Sequence, residues 1–210
     1  MKEQSATIPS GELRLEALVA VPEAATPMRG AVICHPHPQY GGSMYNNVVE
    51  AALEAMWRLG MATVRFNFRG VGASSGEYGG GAGEAEDAKA AARFLLAREG
   101  VAKRGAVMAG YSFGAAVAMR AGAELDEVDT IVAIALPVGM ADFSDLGQSR
   151  KRIILVSGDH DEYCPADAIA RLAHELGPSA SLKLIAGADH FFGGFEGELC
   201  DALVELIGTR

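Results

Sequence analysis

A serine hydroxyl attacks a carbonyl only when it is exposed, aimed and relieved of its proton by a neighbour. The pentapeptide Gly110-Tyr111-Ser112-Phe113-Gly114 sets a serine where the first two conditions can be met. It lies between a short apolar run and a helical pattern. A sharp strand-to-helix turn there would lift the hydroxyl clear of the backbone, and the flanking glycines would remove Cβ atoms that collide in such a turn. The first amides of the helix would face the developing negative charge. Taken alone, G-x-S-x-G arises by chance in a chain with 26 glycines, and its bland reading is an ordinary turn.

The third condition calls for a base and an acid that orients it. Gly158-Asp159-His160-Asp161-Glu162-Tyr163-Cys164-Pro165 follows an apolar run, and an acid just past a strand is well placed to brace an imidazole. Spacing alone does not separate Asp159 from Asp161, and either can serve as a solvated cap for the helix that Pro165 opens. Gly187-Ala188-Asp189-His190-Phe191-Phe192 supplies an imidazole in the loop after the last apolar run. A lone loop histidine is more often unremarkable than catalytic, but three such loops at the ends of strands support one another. The chain order serine, acid, histidine is that of α/β-hydrolases and differs from the orders in chymotrypsin and subtilisin.

A fourth loop, Cys34-His35-Pro36-His37-Pro38-Gln39-Tyr40-Gly41-Gly42-Ser43, sits where a second oxyanion amide would come from, the first being Phe113. Pro36 and Pro38 have no N–H to donate. The backbone of His37 is therefore the expected donor, followed by Gln39 and Tyr40. The rival reading is a His-x-His metal grip, but no further ligand set follows at useful spacing, and neither metal nor cofactor is expected.

These loops need strands and helices to hold them. Residues 6–21 alternate weakly around Pro9-Ser10-Gly11 and read as an antiparallel hairpin at a sheet edge. Beyond it, short apolar runs (31–34, 62–68, 106–109, 130–136, 153–156, 182–185) alternate with helical patterns (46–59, 84–97, 113–123, 165–176, 195–207). This alternation predicts an α/β fold with a mostly parallel sheet covered by helices on both faces. The stretch between 136 and 153 is too short for a lid domain. One domain over residues 1–210 is expected.

The formal charge is −9 with no offsetting Lys/Arg run, which argues against nucleic-acid partners. Met-Lys-Glu-Gln-Ser-Ala leads into no apolar stretch and does not read as a secretory signal, and the run 131–140 is broken by Pro137 and Gly139. No membrane partner and a cytoplasmic location are expected. Cys34, Cys164 and Cys200 are an odd number without CxxC spacing and read as buried thiols. Nothing in the sequence fixes the oligomeric state.

Taken together, His-Pro-His-Pro with Gly-Gly, Phe66-Asn67-Phe68-Arg69-Gly70-Val71-Gly72, Gly-Tyr-Ser-Phe-Gly, Gly-Asp-x-Asp and Asp-His-Phe-Phe resemble the small lidless bacterial α/β-hydrolases related to dienelactone hydrolase. The likeness runs from about Gly30 to the C-terminus. It implies the α/β-hydrolase fold without a lid and a catalytic set of Ser112, Asp161 and His190, and it is what favours Asp161 over Asp159. Dienelactone hydrolases carry Cys where this chain has Ser112, so their substrate does not transfer. Arg69-Gly70-Val71-Gly72 and the glycines at 79–83 lack a phosphate-loop pattern and read as turns, with Arg69 paired to an acid.

The expected chemistry is cleavage of a small ester or thioester through an acyl-enzyme, on a small-molecule acyl substrate. A peptidase or amidase using the same three residues, and a non-catalytic binding protein, are the alternatives. Met44, Tyr45, Tyr163 and Phe191 are the expected substrate-binding side chains. Met140, Phe143 and Phe192 are further candidates to line an apolar pocket, and for each of the seven ordinary packing is the favoured reading.

Overall fold

The structure is a computed structural model and describes residues 2–24, 26–139, 143, 146–147 and 149–209. Eight strands form one sheet: β1 (Gln4–Ser10), β2 (Leu13–Ala20), β3 (Gly30–Cys34), β4 (Ala62–Phe66), β5 (Ala106–Tyr111), β6 (Val128–Ile134), β7 (Arg152–Gly158) and β8 (Ala180–Ile185). Among the described residues, four α-helices lie between strands, α1 (Asn47–Arg58), α2 (Ala82–Leu96), α3 (Phe113–Glu124) and α4 (Ala166–Leu176), and α5 (Glu196–Gly208) follows β8. The spatial order is β1-β2-β4-β3-β5-β6-β7-β8. From β3 to β8 every pairing is parallel; the β1–β2 and β2–β4 pairings are antiparallel, so β2 alone runs against the other strands.

The central strands read as unbroken apolar runs because both faces are covered. Along β5, Met108 faces the core shared with α2, α3 and α4, whereas Val107, Ala109 and Tyr111 face the core under α1 and α5. Helix starts follow local chemistry. The Asn46 side chain caps α1 by accepting the Val48 amide, and the Glu84 carboxylate accepts the amides of Gly79 and Gly81 where α2 begins. Pro165 precedes the first turn of α4.

The hairpin departs from expectation at its turn. Pro9 lies inside β1, paired with Arg14, and the chain reverses at Gly11-Glu12. An edge strand tolerates a residue without an N–H where a central one does not.

The connection order fixes where a site can form. From β3 the chain crosses to β4 on one side, then returns past β3 to β5 on the other. The loops after β3 and β5 therefore diverge at a switch point, and the crevice outside the strand ends there is where open α/β sheets bind ligands. Both the His35–Gly42 loop and Ser112 leave the sheet at this point.

Candidate active site

Ser112 follows directly on β5 with φ 55° and ψ −119°, and α3 starts at Phe113. Its amide donates to Ile134 O at 2.8 Å and its carbonyl accepts from Ala115 N at 2.9 Å, which fixes the turn at both ends. The two glycines of the pentapeptide are steric requirements. A Cβ on Gly110 would lie 2.0 Å from Gly114 O, and one on Gly114 would lie 2.4 Å from the carbonyl oxygens of both Cys34 and His35. Their absence lets α3 seat against the end of β3.

His190 lies in the loop between β8 and α5 and is 8% exposed. Its Nε2 is 3.0 Å from Ser112 Oγ and its Nδ1 is 2.8 Å from Asp161 Oδ2. A carboxylate opposite Nδ1 makes that nitrogen the N–H donor, so Nε2 is the acceptor facing the hydroxyl. The loop is tied by Asp189, whose Oδ1 accepts the amides of Phe191 at 2.9 Å and Phe192 at 3.1 Å. Phe192 is fully buried and anchors the loop in the core.

Asp161 follows β7 and is 4% exposed. Its Oδ1 accepts the amides of Tyr163 and Cys164, both at 2.8 Å, leaving Oδ2 for the imidazole. Burial pushes its pKa up. The hydrogen bond and charge of His190 and the amides of Cys164 and Tyr163 outweigh burial, so the carboxyl is held below its ordinary value. Asp159 turns elsewhere and accepts the Gly187 amide at 2.7 Å, which ties the β7 and β8 loops together.

The loop after β3 is organised by two histidines. His35 is fully buried, with Nδ1 2.6 Å from Pro36 O and Nε2 accepting the Phe68 amide at 3.0 Å. Burial lowers its pKa to about 4, against the opposing bond to Pro36. With both ring nitrogens engaged, His35 staples this loop to the end of β4 and offers nothing to a metal. His37 precedes a 3₁₀ turn, Pro38–Tyr40, and its ring lies 4.8 Å from that of Phe113. The Gln39 amide donates to His37 Nδ1 and the Tyr40 amide to His37 O, so both are consumed within the loop. The His37 amide has no acceptor among the described residues. The Phe113 amide, at the first position of α3, is one of the four that a helix start leaves free.

The four residues expected to contact substrate divide into two pairs. The rings of Tyr163 and Phe191 lie 4.8 Å and 5.5 Å from the imidazole of His190. Met44 and Tyr45 both contact Arg65. Met44 is 1% exposed, with its amide on Asn67 Oδ1 and its carbonyl accepting from Arg65, and Tyr45 lies against the Arg65 guanidinium. Both border a cavity of about 230 Å³ shared with residues of β1 and β2. Phe143 and Phe192 are core residues, and Met140 lies outside the described residues.

Two residues with a hold on the site were not singled out by the sequence. One is His35. The other is Tyr111, 4% exposed, whose phenol donates to the carbonyl of His190 at 2.9 Å. Arg69 forms its expected ion pair with the buried carboxylate of Asp87, at 2.8 Å.

The sequence model of the X-Pro dipeptidyl-peptidase (S15) family matches residues 10–162. The chain belongs to the S15 family. The match spans Ser112 and Asp161 and stops before His190. A protein of Rickettsia prowazekii (strain Madrid E) is 37% identical over 187 residues, covering 85% of this S15-family chain and 78% of the relative. Among solved structures, an α/β serine hydrolase homologue from Coxiella burnetii superposes with a TM-score of 0.89 at 34% identity, over 99% of this chain and 98% of that one. An α/β serine hydrolase without a lid from Xanthomonas campestris gives 0.86 at 34% identity, over 99% and 94% of the two chains. This S15-family member thus has the lidless α/β-hydrolase fold of the serine hydrolases. No helix among its described residues is long and apolar enough to cross a membrane.

Proposed function

We propose that the protein is a serine esterase acting on small carboxylic esters or thioesters, with Ser112 as nucleophile, His190 as general base and acid, and Asp161 as the carboxylate that orients it. The observation that carries the reading is the unbroken chain Ser112 Oγ, His190 Nε2, His190 Nδ1, Asp161 Oδ2, with contacts of 3.0 and 2.8 Å. It stands at the sheet's switch point, where the β3 and β5 loops diverge.

In this mechanism His190 Nε2 takes the Ser112 proton as Oγ bonds to the acyl carbon, and the carbonyl electrons move onto oxygen. The amides of Phe113 and His37 hold that oxyanion. Collapse breaks the bond to the leaving group, which takes the proton from His190 and departs as alcohol or thiol. His190 then deprotonates a water that attacks the acyl-enzyme, and Ser112 leaves with that proton as the free acid forms. Asp161 stays ionised throughout, in keeping with its lowered pKa.

Fluorophosphonate labelling with the modified residue located by mass spectrometry tests the nucleophile. The expected adduct is on Ser112, and Ser112→Ala is expected to abolish turnover of a short-chain p-nitrophenyl ester. An unlabelled Ser112, or full activity in the variant, refutes the assignment.

A peptidase reading is favoured by the family match to X-Pro dipeptidyl-peptidases. The same three residues serve amide cleavage, but a dipeptidyl-peptidase must also recognise a free amino terminus. Asp161 and Asp189, the carboxylates of the two loops that meet at the imidazole, are both bonded to loop amides. Turnover of an X-Pro p-nitroanilide at a rate matching the p-nitrophenyl ester would favour the peptidase.

A further inference from the structure

Four large apolar side chains are strongly exposed among the described residues: Tyr40, Tyr45, Tyr163 and Phe191. Two of them stand together against His190. Tyr163 is 64% exposed and Phe191 58%, and their rings lie 6.3 Å apart, nearly perpendicular, each in contact distance of the imidazole. Neither is a loose loop tip. The Tyr163 amide is held by Asp161, the Phe191 amide by Asp189, and the Phe191 carbonyl accepts from Asn47 Nδ2 at 3.0 Å. Fixed backbone on both sides keeps two apolar rings in water, an arrangement that leaves apolar area uncovered until something occupies it.

The position of the pair tells which part of a substrate that is. His190 delivers a proton to the departing oxygen, so the leaving group must pass beside its Nε2. The acyl oxygen, in the mechanism proposed above, goes to the amides of Phe113 and His37, and both rings contact the imidazole itself. We infer that Tyr163 and Phe191 seat the alcohol portion of the ester and select alcohols that carry an aromatic ring, which pack edge-to-face or offset on this corner. The inference rests on the roles proposed above for Ser112 and His190. A stacked aromatic pair adds discrimination worth roughly two- to ten-fold over an aliphatic group of similar size.

Benzyl acetate and cyclohexylmethyl acetate share acyl group and size and differ in the ring. The wild-type protein is expected to show a kcat/KM ratio for this pair of roughly two- to ten-fold in favour of benzyl. Tyr163→Ala and Phe191→Ala should each bring the ratio towards one, and Tyr163→Phe should retain it. Methyl phenylacetate against methyl cyclohexylacetate, with the ring on the acyl side, should show no such preference. A wild-type ratio near one overturns the inference, as does a ratio unchanged in both alanine variants, which would mean the rings only steady the imidazole. A preference confined to the acyl pair overturns it too. Fluorophosphonate labelling run in parallel separates the two claims. Labelled Ser112 with a flat ratio removes only the aromatic seat, while unlabelled Ser112 removes the esterase reading beneath it.

Discussion

Replacing Ser112 by glycine should make the protein more stable than replacing it by alanine, the reverse of what this exchange does in ordinary structure. At φ 55° and ψ −119° the residue occupies backbone space that a Cβ crowds, and such conformations cost on the order of 1–3 kcal/mol. Alanine keeps the Cβ and hence the strain, whereas glycine removes it. Both variants lose the hydroxyl contact to His190, so their difference isolates the backbone. Glycine gives back roughly 0.5–1 kcal/mol through the greater freedom of its unfolded chain. The net expectation is about 0.5–2 kcal/mol in favour of Ser112→Gly. At about 2–4 °C per kcal/mol for a domain of this size, that is a Tm higher by roughly 1–8 °C. Paired urea and thermal unfolding curves measure it, with Ala90→Gly in the middle of α2 as a control of opposite sign, expected to lose roughly 1 kcal/mol. If Ser112→Gly proves no more stable than Ser112→Ala, the turn is not strained and the argument that β5, the elbow and α3 impose this geometry fails.

Three further expectations concern the groups around the imidazole. His37→Pro keeps a φ of −55° that proline adopts freely but deletes the amide, so turnover should fall roughly a hundred- to a thousand-fold while His37→Ala, which keeps the amide, falls far less; equal losses would remove this amide from the oxyanion site. Tyr111→Phe leaves the His190 carbonyl without its buried donor, which should destabilise the fold by about 1–3 kcal/mol in urea unfolding and lower kcat, and an unchanged midpoint would refute the bond. His35 predicts an acid sensitivity of defined sign. Its folded pKa of about 4 lies below the ordinary 6.5, so between these values the unfolded chain takes up a proton that the folded one refuses. Stability should fall by up to about 3 kcal/mol as pH drops through that window, with no further loss from this group below it. Urea midpoints measured across the window should flatten in His35→Gln, and an identical slope in the variant would count against the assignment.

Much of this was legible in the sequence because the central strands, buried on both faces, announce themselves as short apolar runs and the helices between them as 3.6-residue patterns. Strand starts were harder to read. β6 begins at Val128 and β8 at Ala180, two residues earlier than the apolar runs, because the polar residues Asp129 and Ser181 interrupt the apolar pattern inside the strands. Pro9 marked a turn in the sequence and proved to be an edge-strand residue, since pairing partners are invisible in a single chain. At the site, the serine and histidine loops could be found from motif and context. Asp159 and Asp161 could not be told apart by position, because both follow one strand and only the folded loop decides which meets the imidazole. Met44 and Tyr45 have the composition of a pocket wall, and composition does not reveal their contacts with Arg65. The bonds of Tyr111 and His35 are not readable in the sequence because each engages a backbone atom far away along the chain. A phenol placed in an otherwise apolar strand was the one available hint, since a buried tyrosine hydroxyl needs a partner.

The strained residues show how the fold commits itself to this geometry. Among the described residues, the non-glycine positions with φ near +50° are Ser112, Ala135 and Phe192. They are not scattered. Ser112 follows β5, Ala135 follows β6 with its amide on Val156 O at 2.7 Å, and Phe192 stands two residues past His190. Each is over-determined by its surroundings: Ser112 by its bonds to Ile134 and Ala115, Ala135 by complete burial between strands, Phe192 by a side chain sunk into the core and an amide on Asp189. Strain held this way resists relaxation because any one of these residues could turn to ordinary φ only by breaking contacts in the sheet or core. A hydroxyl, an imidazole and a carboxylate on three loops with no lid above them need that rigidity. In an open site the positions of Oγ and Nε2 must be set by the scaffold before a substrate arrives.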